Sequence, residues 1–368
     1  VRRLIAIDLP ASDRFVKIVE RAWSEEDAVL PLDQRLSPTL RHRLARDFGA
    51  SAIQSESSTI EIDGGATMRA DEALVIATSG STGTPKGVVH THTSLSASAS
   101  ASATALGLSS DDHWLVCIPV SHIGGFSVIT RARHTGADLT LHDSFVASRT
   151  EAAARTGCTH VSLVPTALRR IDHSIFRRIL LGGQAAPPHL PPNVTVTYGS
   201  TETGGGIAYD GRALPGVDIR VIDGEIHVKS PSLFSRYIDD SDDRTNDGWF
   251  RTGDGGSLND GRLDVTGRLT DMIVSGGENI WPQQIERVLR TIAEVQDAVV
   301  VARDDAEWGQ VVEAFLETSR NVTRDEIRDA VLAHLPSYCV PKKTSCIATF
   351  PRGSSGKVDK HALATLAR

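Results

Sequence analysis

Residues 78–87 read TSGSTGTPKG, and these ten positions hold three glycines, five hydroxyl side chains, one proline and one lysine. Gly80, Gly83 and Gly87 permit backbone torsions and close approach that other residues forbid. Successive N–H groups in such a turn form a concave nest for anions. Thr78, Ser79, Ser81, Thr82 and Thr84 add short donors, and Lys86 adds a positive charge. The chemistry offered is the gripping of phosphate. The pattern differs from G-x-x-x-x-G-K-S/T, because Gly80 and Gly83 stand three apart, Pro85 precedes Lys86 and Gly87 follows it. A Gly/Ser/Thr surface linker has a similar composition. Against that reading, the apolar run Ala73–Ala77 leads in and a small-residue segment, Ser94–Leu108, leads out. The expected setting is a strand, the glycine loop, and then a helix.

The elements that must hold this loop show in the hydrophobic pattern. EALVIATS, HWLVCIPV, ADLTLHD, THVSLV, RRILLGG and VTVTYGS are apolar runs of strand length. Helical segments at Ser94–Leu108, Gly124–His134, Ser148–Thr156 and Pro165–Arg170 separate most of them. This alternation predicts an α/β fold with a largely parallel sheet. Before it, DRFVKIVERAW and PTLRHRLARDFG read as amphipathic helices. ASASASA at 97–103 reads as a helix that packs closely through small side chains. After residue 205, DIRVID, EIHVKS, WFRTGD and GRLDVTG are short strands divided by Asp/Gly turns, an antiparallel β unit. Helix Pro282–Arg290, strands Ala298–Ala302 and Val311–Glu317, and helix Arg324–Leu335 then form a small α+β unit. The expected fold is therefore α/β. A large N-terminal domain, residues 1–270, has mixed, largely parallel βα layers and a β-subdomain. A small α+β unit follows at 271–368, with a candidate hinge near residue 270.

Bulk composition sets outer limits. The 368 residues are 40% hydrophobic and 23% charged, with a net charge of −7. No long basic run marks a nucleic-acid surface. No segment approaches the roughly 18 uninterrupted apolar residues of a membrane span. The apolar patch in VRRLIAIDLP is broken by Asp8 and too brief for a signal sequence. Cys117, Cys158, Cys339 and Cys346 form no C-x-x-C pair, so reduced thiols and a cytoplasmic location are expected.

Five motifs, taken in order, carry a family resemblance: TSGSTGTPKG, YGSTET (198–203), FRTGD (250–254), GRLTDMIVSGGENI (267–280) and SSGKVDK (354–360). The chain resembles the adenylate-forming superfamily of acyl-CoA synthetases, luciferases and peptide-synthetase adenylation domains. The resemblance implies ATP, Mg²⁺ and coenzyme A as reactants. It implies that Thr78, Ser79, Gly80, Ser81, Thr82, Gly83 and Lys86 grip the outer phosphates. It further implies that Thr201 contacts the α-phosphate and that Glu202 holds the metal. Gly183, Gln184, Ala185, Tyr198 and Gly199 would wall the adenine, and Asp254 with Arg268 would take the ribose. Lys357 would reach the forming acyl-phosphate linkage, and Gly276 and Gly277 would line the pantetheine tunnel.

The residue types agree. Ionised Asp254 is acceptor-only and suits a vicinal diol, although G-D-G is also a common turn. A carboxylate such as Glu202 suits a hard cation, although it could equally cap a helix. The resemblance also implies that the small α+β domain, 271–368, is a mobile lid, and the position corresponding to the family's hinge is Thr270 or Asp271.

A narrower resemblance rests on SHIGG (121–125), CTHVSLVPTALRR (158–170), GGGIAYDGRALPGV (204–217) and VSGGENIWPQQIERVL (274–289). These are similar to the o-succinylbenzoate–CoA ligase branch, which serves menaquinone biosynthesis. That substrate has two carboxylates, and the one not activated calls for a fixed guanidinium. By its position after SHIGG, Arg131 resembles an arginine that members of this branch place against the aryl carboxylate, and the resemblance implies that role for it, with Arg133 and Arg169 as alternatives. On a helix over 124–134, Gly124, Ser127, Val128 and Arg131 share one face. A helix-end arginine is the plainer account. His122, Ser162, Thr166, Gly204 and Gly205 are further acyl-site candidates. The N-terminal part is shorter than in most of these enzymes, so the outer wall is expected to be trimmed. Relatives are often dimers, which leaves a homodimer open. Other aryl- or acyl-CoA ligases and amino-acid adenylation enzymes are the competing readings.

Overall fold

The computed structural model describes residues 2–79, 85–184, 186–187, 189–352, 358–359 and 362–363. The chain divides into two compact units. One contains residues 1–186, 191–219 and 228–251; the other contains 187–190, 220–227 and 252–368.

The first unit has two sheets. Strands β1 (Leu4–Ile7), β2 (Ala28–Pro31), β3 (Ala52–Gln54), β4 (Thr59–Glu61), β5 (Glu72–Ser79) and β6 (Pro85–Thr91) join the short strand Arg236–Tyr237 in the order Arg236–Tyr237, β6, β5, β2, β1, β3, β4. Strands β7 (His113–Val116), β8 (Asp138–Leu141), β9 (His160–Leu163), β10 (Arg178–Leu181), β11 (Val194–Ser200), β12 (Gly205–Tyr209) and β13 (Arg212–Ala213) run in the order 13-12-11-10-9-7-8. Strands β7 to β11 pair in parallel, while β12 and β13 turn back antiparallel.

The helices are placed by capping and by their buried faces. In α1 (Asp13–Ser24), Ser12 accepts from Phe15 N–H, and Phe15, Ile18, Val19 and Ala22 are buried at helical spacing. In α2 (Pro38–Asp47), Ser37 caps and proline opens the first turn. Thr91 and Ser94 cap each other at the start of α3 (His92–Leu106), which buries Ser94, Leu95, Ser98, Ala99 and Ser102. These small side chains let α3 lie against α4 (Ile123–Thr135), as the ASASASA run predicts. Phe15 meets Phe126 of α4 edge-on at 6.4 Å in a core that includes Ile5, Ile76, Trp114 and Val116.

The strand–loop–helix setting expected around residues 78–87 does not form. Strand β5 pairs antiparallel with β6 from Glu72↔Thr91 to Ser79↔Pro85, so the glycine segment joins two strands of a hairpin. The reason is burial: Val88, Val89 and His90 are fully covered when β6 lies between β5 and Arg236–Tyr237. Helix α3 starts only at His92, so its dipole is not what awaits an anion at the glycines.

In the second unit, residues 254–259 of strand Phe250–Asn259 pair antiparallel with Arg262–Arg268, from Asp254↔Arg268 to Asn259↔Arg262. The connecting Asp260 and Gly261 both have positive φ, 49° and 72°, as a tight hairpin turn requires. The expected domain division at 270–271 falls inside this unit, in the short helical turn Leu269–Asp271 that contains both hinge candidates. Beyond it, Asp297–Asp305 pairs antiparallel with Gly309–Glu317, and Lys343–Ile347 adds in parallel. Helices Pro282–Leu289 and Arg324–Leu332 contribute Ile285, Leu289, Ile327 and Val331 to its core. Among the described residues no helix is long and apolar enough to cross a membrane. Cys117, Cys158 and Cys339 are buried and Cys346 is exposed, all as free thiols.

Candidate active site

The turn that follows β11 is held by its backbone. Thr201 C=O accepts from His90 Nε2–H at 2.8 Å and from Gly204 N–H at 3.0 Å. Phe234 N–H donates to Glu202 C=O at 2.8 Å, Ser232 Oγ to Thr203 C=O at 3.0 Å, and Ser98 Oγ to Gly204 C=O at 2.8 Å. A carbonyl can only accept, so His90 must be protonated on Nε2. Burial lowers the His90 pKa to about 4, with the bond to Thr201 opposing, and the ring is neutral. Gly199 precedes the turn at a β-bulge, and a Cβ there would collide with the Gly205 carbonyl. The Thr201 and Glu202 side chains are thus presented, half-buried, from a fixed frame.

Glu202 belongs to a cluster that sequence reasoning missed. Its Oε1 accepts from the Tyr237 hydroxyl at 3.3 Å, and the same hydroxyl lies 2.9 Å from Asp243 Oδ2. Lys86 Nζ is 3.7 Å from Asp243 Oδ2 and 4.4 Å from the centre of the Tyr237 ring. Burial, then the Glu202 charge and the contacts of Asp243, push the Tyr237 pKa above its usual 10, so the phenol stays a donor. One phenolic hydrogen facing two carboxylates leaves hard, anionic oxygen available beside Lys86. That donor set fits Mg²⁺, which binds through one or two carboxylates together with substrate phosphates. No composition signal marks Tyr237 or Asp243; only the pairing of β6 with Arg236–Tyr237 brings them to Lys86.

Other nucleotide-side candidates divide between described and undescribed residues. Thr78 Oγ1 donates to Lys86 C=O at 3.3 Å across the hairpin. Gly183 and Gln184 are exposed just after β10, and Tyr198 is half-buried near the end of the adjacent parallel β11. This is the carboxyl end of the parallel strands, where open α/β sheets take their ligands. Ser79 pairs in β5 through its backbone. Gly80, Ser81, Thr82, Gly83, Ala185 and Lys357 lie outside the described residues.

The acyl-side candidates centre on one cation. Arg131 of α4 is 5% exposed, and its Nη2 donates to Ser162 Oγ on β9 at 3.1 Å. Its guanidinium lies over the Trp114 ring at 4.9 Å, and Nε has no hydrogen-bond partner. Burial lowers its pKa, with the neighbouring Tyr209 phenol opposing. Among the described residues no carboxylate pairs with it. The alternatives differ: Arg133 is exposed, stacks on Trp23 and bonds Glu20, and Arg169 is exposed. Gly205 faces the Ser127 side chain of α4, Gly204 sits at φ 73°, and Thr166 is half-buried in the short helix Pro165–Leu168. His122 stands at the start of α4, about half-exposed, with Nε2 against the Arg35 guanidinium that Asp33 anchors. Arg35 can only donate, so this nitrogen accepts.

In the second unit Asp254 is 9% exposed, and its Oδ1 accepts from Arg268 Nε at 2.9 Å. Arg268 also donates to Thr252 C=O at 2.9 Å, and Thr252 Oγ1 accepts from Asp254 N–H at 3.1 Å. Asp254 is therefore a strand residue with an oriented carboxylate, not a turn aspartate. Gly276 and Gly277 form the turn between Ile273–Ser275 and Glu278–Ile280. Gly276 N–H donates to Trp308 C=O at 3.0 Å, and a Cβ on Gly276 would press to 2.7 Å from the Trp308 ring.

Comparison with known proteins places these features in a family. The model of the AMP-binding enzyme matches residues 13–238, and that of the AMP-binding enzyme C-terminal domain matches 284–357. The 2–succinylbenzoate–CoA ligase of Enterococcus faecalis is 32% identical over 335 residues, which is 80% of this chain and 69% of that one. The o-succinylbenzoate CoA synthetase from Bacillus subtilis, solved in complex with its acyl-adenylate intermediate, superposes with a TM-score of 0.85 at 29% identity. That superposition covers 99% of this chain and 88% of that one, and the same synthetase is also known in complex with ATP and a magnesium ion. The amide bond synthetase McbA from Marinactinospora thermotolerans has a TM-score of 0.85 at 24% identity, covering 100% and 90%, which shows a shared fold alone.

Proposed function

The chain belongs to the AMP-binding enzyme family, and from that membership we propose that it is an AMP-forming acid–CoA ligase acting on 2-succinylbenzoate. The observation that carries the substrate is Arg131, a buried guanidinium without a carboxylate partner among the described residues. A desolvated charge of this kind is costly unless an opposite charge arrives. An acid with a second, aromatic carboxylate supplies one and leaves its succinyl carboxylate to react.

In the first half-reaction the succinyl carboxylate oxygen attacks the α-phosphorus of ATP, and the bond to pyrophosphate breaks. A carboxylic acid of pKa about 4 is already ionised at neutral pH, so the site needs no general base. The barrier is repulsion between anions and charge on the phosphoryl group in flight, so positioning and positive electrostatics dominate. Thr201, fixed through His90, donates to the α-phosphate. Lys86 exchanges Asp243 for the outer phosphates, and Lys357 meets the acyl-phosphate linkage. Glu202, held by Tyr237, would carry Mg²⁺, which when bound offsets phosphate charge. Asp254, oriented by Arg268, accepts from the ribose hydroxyls. In the second half-reaction the CoA sulfur attacks the acyl carbon and AMP leaves, with Gly276 and Gly277 giving pantetheine room. ATP and CoA are cytoplasmic metabolites, and the enzyme works in the cytoplasm with them.

Mass spectrometry of a reaction containing ATP, CoA and 2-succinylbenzoate is expected to show the CoA thioester. Arg131→Ala should lower kcat/KM for this diacid by roughly 10²-fold, the scale for truncating one partner of a buried charge pair. A monocarboxylic acid should be affected far less. No thioester, or equal loss with both acids, would sink the assignment.

A further inference from the structure

Arg131 raises a question that its pairing with substrate does not answer: what keeps the cation in place, and still charged, before substrate arrives. A carboxylate in the wall would hold it well but would also neutralise it and compete with the incoming anion. The structure uses a different partner. Trp114 on β7 is fully buried, and its ring lies 4.9 Å from the Arg131 guanidinium carbon. A ring face attracts a cation through its quadrupole and contributes no net charge. Ser162 Oγ at 3.1 Å and the Tyr209 phenol add neutral acceptors, and Nε stays unbonded.

The indole is itself held. His160 on β9 lies alongside it, with ring centres 4.9 Å apart, and Trp114 and His160 are paired residues of the parallel β7–β9 ladder. His160 in turn sits 3.6 Å from Asp112, which also pairs with Arg177 at 2.9 Å. Burial keeps this histidine neutral, so no second cation stands against the indole.

We propose that Trp114 is the positioning residue that sets specificity for diacids, holding Arg131 by its ring face so that the guanidinium stays aimed and un-neutralised for the second carboxylate of the substrate. This rests on the acid assigned to Arg131 above. It adds that the discrimination between a diacid and its mono-acid analogue depends on an aromatic face at position 114.

The test compares 2-succinylbenzoate with 4-oxo-4-phenylbutanoate, the same skeleton without the aryl carboxylate, in a pyrophosphate-release assay. The readout is the ratio of kcat/KM for the two acids in wild type, Trp114→Leu, Trp114→Phe, Arg131→Ala and the Trp114→Leu/Arg131→Ala double variant. Trp114→Leu is expected to cut the ratio roughly ten- to thirty-fold, the range of a desolvated cation–π contact. Trp114→Phe, which keeps a smaller ring face, should restore part of it. In the double variant the leucine should lower the ratio no further than Arg131→Ala alone. A Trp114→Leu enzyme that loses rate equally with both acids, or a phenylalanine variant no better than leucine, would show that Trp114 only fills space. If leucine fails to fold, the phenylalanine ratio alone decides. A wild type that does not discriminate overturns both this proposal and the substrate assignment. Discrimination lost in Arg131→Ala but kept in Trp114→Leu overturns only this one.

Discussion

At the scale of single residues, the proposed nucleotide side turns on one shared hydrogen. The Tyr237 hydroxyl stands between Glu202 and Asp243 while Lys86 covers its ring. Tyr237→Phe removes that hydrogen and leaves two carboxylates facing each other without a donor. The ring packing against Phe234 survives, so the fold should lose only about 1 kcal/mol. The rate of pyrophosphate release at saturating diacid is expected to fall roughly tenfold, with the KM for the diacid changed less than twofold. Similar changes in both constants would point to general damage instead. The apparent Mg²⁺ requirement, read from a titration of nucleotide binding, should also shift, because Glu202 loses the hydroxyl that orients it. Residues like these are hard to see in a sequence. Glu202 stands out because YGSTET accompanies other motifs, whereas Tyr237 and Asp243 gain meaning only when a distant strand docks beside β6.

At the scale of elements, the turn 200–204 depends on β6 more than on its own sequence. His90 reaches it from the hairpin and serves only as a neutral ring. Its pKa falls from 6.5 in the unfolded chain to about 4 in the folded one, so on acidification the unfolded state takes up the proton first. The contribution is whole above pH 6.5, is lost as the pH falls from 6.5 to 4, and is constant below that. The loss amounts to roughly 3 kcal/mol from this residue. His160 acts in the same direction. In His90→Gln, whose amide still donates to Thr201, unfolding free energy should depend less steeply on pH across that window. Denaturant melts at several pH values check this, and an unchanged slope would clear His90 of the role.

The same hairpin marks the limit of pattern reading. The apolar runs of β5 and of the parallel strands are short, bounded and correctly placed by period alone, as is α4 with Arg131 on its buried face. The four residues Val88–Thr91 are too few to declare a strand. Their burial comes from partners more than a hundred residues away in one case. Trp114 is similar: its apolar run is plain, but its meeting with Arg131 and His160 follows from strand order, which spacing does not encode.

At the scale of the whole molecule, folding must accommodate a charge it does not need. Replacing a buried ion by an apolar side chain of similar volume is often neutral or stabilising by about 1–4 kcal/mol. Arg131→Met is therefore expected to raise the melting temperature by several degrees while abolishing preference for the diacid. A clear drop in melting temperature would mean that Arg131 supports the fold in its own right. The two units also differ in legibility. The small C-terminal core is built on two local hairpins, Ile273–Ser275 with Glu278–Ile280 and Asp297–Asp305 with Gly309–Glu317, and a capped helix at Thr323. The first unit threads its strands in an order the chain does not follow, so its class is readable and its neighbours are not.

The unmatched guanidinium has an evolutionary corollary. A population of variants screened for heat resistance alone, with no demand on turnover, should drift away from arginine at position 131 early, since leaving is free and even rewarded. Lineages that retain it would then be recording a continuing need for the diacid, and the residue would serve as a marker of that diet.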